Sequence, residues 1–152
     1  MKKAIVIYDS RYGNTEKLGK ALSEGMKKGG LAADCVKAES VDPAKLVEYD
    51  VLAFGAPTEF LGISGGMKSL LKKLEGVDLK GKKGFAFDTA LGGRLSGSAA
   101  KGLEKKLENL HLSLVMPRAS AKVKTVQGKT VLAEGSEAEF ERIGSEIAAK
   151  TA

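Results

Sequence analysis

Tryptophan is absent from this 152-residue chain, cysteine and histidine occur once each, and proline three times. Each scarcity excludes a class of protein. A lone cysteine, Cys35, forms no internal disulfide, so a disulfide-stapled secreted scaffold is ruled out and a reducing, cytoplasmic location is expected. No cluster of cysteines and histidines marks a metal site. With aromatics at 5%, the chain lacks the stacking platforms that single-strand nucleic-acid binders interleave with basic residues, and no nucleic-acid partner is expected. No apolar run approaches the roughly 20 residues of a membrane span. The run after Met1-Lys2-Lys3 stops at Asp9 without a small-residue cleavage site, which reads as a first strand and not as a signal peptide.

What is present is ordinary for a folded protein: 43% hydrophobic and 29% charged residues, in a length that suits one domain over 1–152 with one core. Twenty-five basic against nineteen acidic residues give a net charge of +6, a balance that favours acidic partner surfaces.

Periodicity supplies the elements. The apolar run Ala4 to Tyr8 reads as a strand buried on both faces, as in parallel sheets. In segment 14–28, Leu18, Ala21, Leu22, Gly25 and Met26 recur at helical spacing before the Gly29-Gly30 stop. A strand over 31–37, a short helix opened by Asp42-Pro43, and a strand over 51–54 follow. Met67, Leu70, Leu71 and Leu74 share one face of a helix over 65–74. A strand over 84–87, a helix over 96–110 and a fifth strand over 111–116 come next, and segments 121–126 and 129–132 read as extended edge structure. Ser136 with Glu139 predicts a capping box on a last helix. Strands alternating with helices predict an α/β doubly wound open sheet of five parallel strands with helices on both faces. In such a sheet a ligand belongs beyond the carboxyl ends of the strands, which singles out the loops after Tyr8, Phe54 and Phe87.

The first of these loops carries the chemistry. Ser10, Arg11, Tyr12, Gly13, Asn14 and Thr15 lie between a strand and a helix start, where unpaired amides and the positive dipole end suit a phosphate. The serine and threonine hydroxyls and the asparagine amide are added donors, and Gly13 lets the backbone fold close. The same residues are also ordinary cap and turn formers. The second loop, with Pro57, Thr58, Glu59, Phe60, Leu61 and Gly62, and the third, with Thr89, Ala90, Leu91, Gly92 and Gly93, again follow strands directly.

The strings YDSRYGNT, FGAPTEF and FDTALGG, spread over almost the whole chain, resemble the flavodoxin family at its phosphate loop and two ring-binding loops. Ser10, Gly13, Asn14 and Thr15 match the family's first motif, and Tyr12 stands where it has threonine; this form resembles the flavodoxin-like domain of flavodiiron proteins. The resemblance implies strand order 2-1-3-4-5 and FMN bound non-covalently, with its ring between the two later loops. It further implies an electron carrier, not an enzyme, that shuttles between redox proteins as a monomer or weak dimer. An FMN-dependent NAD(P)H:quinone oxidoreductase on the same fold is the alternative. Residues 88–94 contain no aromatic, which leaves Phe60 as the ring stacker, and Gly62 suits a peptide that turns toward the flavin. Family members are usually acidic, whereas Arg11, Lys68 and Arg94 flank the expected site here, opposed by Glu59 and Asp88, so a bound flavin less reducing than typical is expected.

Two rival motifs fail on context. Gly62-Ile63-Ser64-Gly65-Gly66 satisfies G-x-S-x-G, with Asp88 and His111 in hydrolase order, but Ser64 lies well past its strand and reads as a helix cap. Segment 76–83 nearly spells a Walker loop, yet Lys83 stands where serine or threonine is needed and a strand follows instead of a helix.

Overall fold

A computed structural model describes residues 1–59, 62–91 and 97–152. In chain order its elements are β1 (Lys3–Tyr8), α1 (Asn14–Lys28), β2 (Ala32–Lys37), β3 (Val51–Glu59), β4 (Gly62–Ile63), α2 (Gly65–Leu74), β5 (Lys83–Ala90), α3 (Ala99–Asn109), β6 (Ser113–Leu114), β7 (Ala119–Val126), β8 (Lys129–Leu132) and α4 (Ser136–Thr151). Two 3-10 turns, Ala38–Ser40 and Pro43–Glu48, join β2 to β3; the second is opened by the Asp42 carboxylate, which accepts from the Ala44 amide. The sheet runs β2-β1-β3-β5-β7-β8. Its β1, β2, β3 and β5 are mutually parallel, and β6 and β7 both pair parallel with β5. Counted without the hairpin arm β4, and with β6 and β7 as two pieces of one strand, the parallel part has the expected 2-1-3-4-5 order.

The apolar run of β1 is buried on both faces because each face meets a helix layer. Ile5 and Ile7 join a core with α2 and α3, while Ala4 and Val6 join a second core with α1 and α4. Burying a phenylalanine or leucine fully contributes roughly 1.5–3 kcal/mol, and Phe54, Phe85, Phe87 and Phe140 are all at or below 1% exposure. On the α1–α4 side the helices meet backbone to backbone. A Cβ at Gly25 would stand 1.9 Å from the Glu141 carbonyl oxygen, and one at Gly144 would stand 2.1 Å from that of Leu22.

Four expectations are corrected. β3 and β5 each outrun their apolar stretch: their ladder continues through Ala56↔Asp88 and Pro57↔Thr89, so residues expected in loops are strand residues held by backbone pairing. The fifth strand is mainly β7, since only Ser113 and Leu114 of the expected segment pair with β5. α3 begins at Ala99, where the Ser98 hydroxyl caps it by accepting from the Lys101 amide. The capping box of α4 does not form; Gly135, at φ 86°, is its N-cap, and the Ser136 hydroxyl donates back to the Ala133 carbonyl.

Candidate functional site

The loop after β1 is shaped by Gly13, whose φ of 88° places it in the left-handed region that favours glycine. Its amide donates to the Ser10 hydroxyl oxygen at 3.0 Å, closing the turn. Gly13 is also the N-cap of α1, and no side chain among the described residues caps that helix. The first intrahelical bond runs from the Lys17 amide to the Gly13 carbonyl, so the amides of Asn14, Thr15 and Glu16 have no partner among the described residues. Glu16 does not fill the vacancy: its carboxylate bonds Lys20 at 3.1 Å, which lowers its pKa, and it also holds Tyr8. Burial, helped by Glu16, pushes the Tyr8 phenol up to about 12.

Asn14 and Thr15 stand at one wall of a cleft of about 160 Å³ at the carboxyl edge of the sheet, while Glu16 lines a neighbouring cleft. Ser10, Arg11, Tyr12, Asn14 and Thr15 line it from the loop, Pro57 and Thr58 from β3, and Thr89, Ala90 and Leu91 from the end of β5. Tyr12 and Leu91 are 68% and 66% exposed, large apolar groups held at the mouth and not folded into the core. Thr15 and Thr89 hydroxyls meet at 3.2 Å across the floor. The side-chain Nδ2 of Asn14 donates to the Thr130 carbonyl at 2.8 Å, so it braces the loop against β8.

Other expected residues stand elsewhere. Gly13 faces a neighbouring polar cleft with Asp9 and Glu39. Glu59 and Gly62 face each other as partners in the β3–β4 hairpin, and Glu59 forms an ion pair with Arg11 at 3.2 Å. Phe60, Leu61, Gly92, Gly93 and Arg94 lie outside the described residues. Val123, Thr125 and Thr130, which complete the cleft, were missed by sequence reasoning. The alternation of Val123 and Thr125 with Lys122 and Lys124 was the available signal, since it turns one set inward.

The expectation that Arg11, Lys68 and Arg94 flank the site, opposed by Glu59 and Asp88, is also revised. Lys68 lines a separate groove of about 550 Å³ between α2 and α3, and Arg11 is already paired. Asp88 does not face them: it is 0% exposed, on the α3 side of the sheet. No hydrolase triad assembles among the described residues, because Ser64 donates to Asp9 at 2.6 Å and the Asp88 partners there include no histidine. Ser64 still precedes α2, but its hydroxyl makes no capping bond there.

A doubly wound parallel sheet with an uncapped helix start beside a cleft at its carboxyl edge defines a flavodoxin-like fold. The flavodoxin family profile matches residues 6–138, and the chain belongs to that family, whose members bind FMN and carry electrons. A flavodoxin from Clostridium saccharobutylicum is 35% identical over 89 residues, covering 58% of this chain and 56% of its own length. An NAD(P)H dehydrogenase (quinone) from Chromohalobacter salexigens is 29% identical over 139 residues, covering 76% of this chain and 67% of its own. The solved structure of a flavodoxin from the domain Archaea superposes with a TM-score of 0.82 at 24% identity, covering 98% of both chains. The chain thus spans little more than half the length of that curated flavodoxin. No helix among the described residues is long and apolar enough to cross a membrane.

Proposed function

We propose that residues 1–152 act as one flavodoxin-like domain that binds FMN non-covalently in this cleft and carries electrons between redox proteins. The observation that supports it most is the uncapped start of α1, with the free first-turn amides of Asn14 and Thr15 at the cleft wall. Those amides, with the Ser10 and Thr15 hydroxyls, would hold the phosphate dianion. The donor set fits: neutral amides and hydroxyls of Ser10, Asn14 and Thr15 stand together on the cleft lining. A cleft of about 160 Å³ is smaller than the roughly 300 Å³ at which ligand pockets begin, so it takes only the phosphate end of the cofactor. The ring then lies toward the mouth, by Tyr12, Pro57, Thr58 and the segment Thr89, Ala90, Leu91, and the sequence resemblance assigns Phe60, Leu61, Gly62, Gly92 and Gly93 to it as well. An exposed ring edge suits transfer to a docked protein.

FMN supplies reversible one- and two-electron chemistry, so this chain needs no acid or base of its own; it binds, orients and sets the local field. The partner side is the α2–α3 layer, where Lys68, Lys72 and Lys106, against the single acid Glu75, line a groove with Ile63, Leu71 and Leu110 that fits an acidic surface. The carrier is monomeric or weakly dimeric, and its unpaired cysteine suits the cytoplasm. Purified protein should be yellow, with flavin absorption, and should release FMN on heating; colourless protein that takes up no FMN rejects the reading.

The similarity to a quinone-reducing dehydrogenase favours a second reading, an FMN-dependent NAD(P)H:quinone oxidoreductase. Rapid turnover of nicotinamide cofactor and quinone by the holoprotein alone would select it, and its absence leaves the carrier.

A further inference from the structure

A charged side chain with no exposure is costly unless every lone pair is answered. Asp88 meets that condition without a cation. Its Oδ2 accepts from the Ser98 hydroxyl at 2.8 Å, the Ala100 amide at 2.9 Å and the Thr58 hydroxyl at 3.3 Å, and its Oδ1 accepts from the Ser120 hydroxyl. The Ser98 oxygen in turn accepts from the Lys101 amide and the Thr58 oxygen from the Ala99 amide, so both hydroxyl protons are directed at Asp88. Both carboxylate oxygens therefore act as acceptors. The one amide that answers Asp88, that of Ala100, lies in the first turn of α3, whose dipole favours a negative charge at that end. No ion pair involving Asp88 occurs among the described residues.

Position gives this cluster its meaning. Asp88 precedes Thr89 on β5, and Thr58, which it holds, lines the cleft with Thr89. The cluster also ties β3, β5, β7 and the start of α3 together behind that wall. From this the geometry points to Asp88 as a positioning residue and a fixed negative charge for the bound flavin: it sets the Thr58 hydroxyl and disfavours added negative charge on the ring. This role rests on the cleft being the FMN site. It supplies, from below the sheet edge, the acidity that the basic surface of this chain lacks.

The test is the two-electron midpoint potential of FMN bound to wild type, Asp88→Asn and Ser120→Ala, with FMN stoichiometry measured on each. Asp88→Asn removes the charge, and its potential is expected to rise by about 30 mV, a tenfold change for a two-electron couple. Ser120→Ala keeps the charge but removes one donor that offsets it, so its potential is expected to fall. A purely structural role would weaken binding or stability in both variants and would not split their potentials in opposite directions. If all three proteins bind one FMN and their potentials coincide, or if both variants shift the same way, the role of Asp88 is overturned while the FMN site stands. A wild-type chain that takes up no FMN overturns both. Should Asp88→Asn fail to fold, Ser120→Ala decides alone: a fall supports the role, and no change or a rise overturns it.

Discussion

The two helix layers of this protein are built to different ends. α1 and α4 together carry six basic and six acidic residues, and they touch backbone to backbone through Gly25 and Gly144. The Lys28–Glu141 ion pair and a bond from the Ser145 hydroxyl to the Gly25 carbonyl close the seam. α2 and α3 carry six lysines against two glutamates and leave an open groove between them. One layer is sealed and electrically balanced; the other is open and basic. The net charge of +6 is thus no uniform property of the surface, and composition alone could not say where it would matter.

The largest expected effect breaks the sealed layer. Gly144→Ala drives a methyl group into the Leu22 carbonyl and is expected to cost about 3 kcal/mol, read from denaturant unfolding. The matching change in the open layer, Gly102→Ala, meets only the Ile63 side chain at 3.2 Å and adds helix propensity. Its effect is expected to stay within about 1 kcal/mol of zero. Equal losses at the two sites would erase the distinction.

Next in size is the charge of the open layer. Reversing Lys68, Lys72 and Lys106 to glutamate is expected to slow electron transfer with an acidic partner about tenfold at low ionic strength, with the gap closing at high salt. Stability should hardly move. A rate insensitive to these lysines would shift docking to another face.

A smaller effect probes how well α1 excludes water. Burial pushes the half-buried Cys35 thiol from 9.0 up to about 11. The folded state holds that proton more tightly than the unfolded chain, so the contribution is fully present below pH 9 and is lost as pH rises toward about 11. Alkylation of Cys35 should accordingly be slow at pH 8, which a thiol-reagent time course reads directly. Smallest of all is the exposed Arg11–Glu59 pair: Arg11→Gln is expected to change stability by less than about 1 kcal/mol.

The limits of α1 and α2 were legible to the residue, because apolar spacing and a following glycine or loop fix a helix locally. The ends of β3 and β5 were not. Past Phe54 and Phe87 the side chains cease to be a continuous apolar run, yet the ladder continues to Pro57↔Thr89, and pairing between residues 32 positions apart leaves no local trace. β7 was demoted to an edge for a similar reason, since its lysines at 122 and 124 hide a strand that pairs with the end of β5. The loop from Ser10 to Thr15 could be singled out because its residues are contiguous, and Ser10, Arg11, Tyr12, Asn14 and Thr15 do line the cleft. Val123 and Thr130 enter the cleft only through long-range pairing, and the donors that let Asp88 be buried come from Thr58, Ser98 and Ser120, far apart in sequence.

The central claim is that the free amides of α1 grip a phosphate, and a paired titration tests it most directly: FMN and riboflavin into the flavin-free protein, followed by flavin fluorescence. FMN should saturate at one per chain, and riboflavin, which lacks only the phosphate, should bind at least about 100-fold more weakly, the loss of roughly 3 kcal/mol of charge-assisted hydrogen bonding. Equal affinity for the two, or no binding of either, would contradict the account.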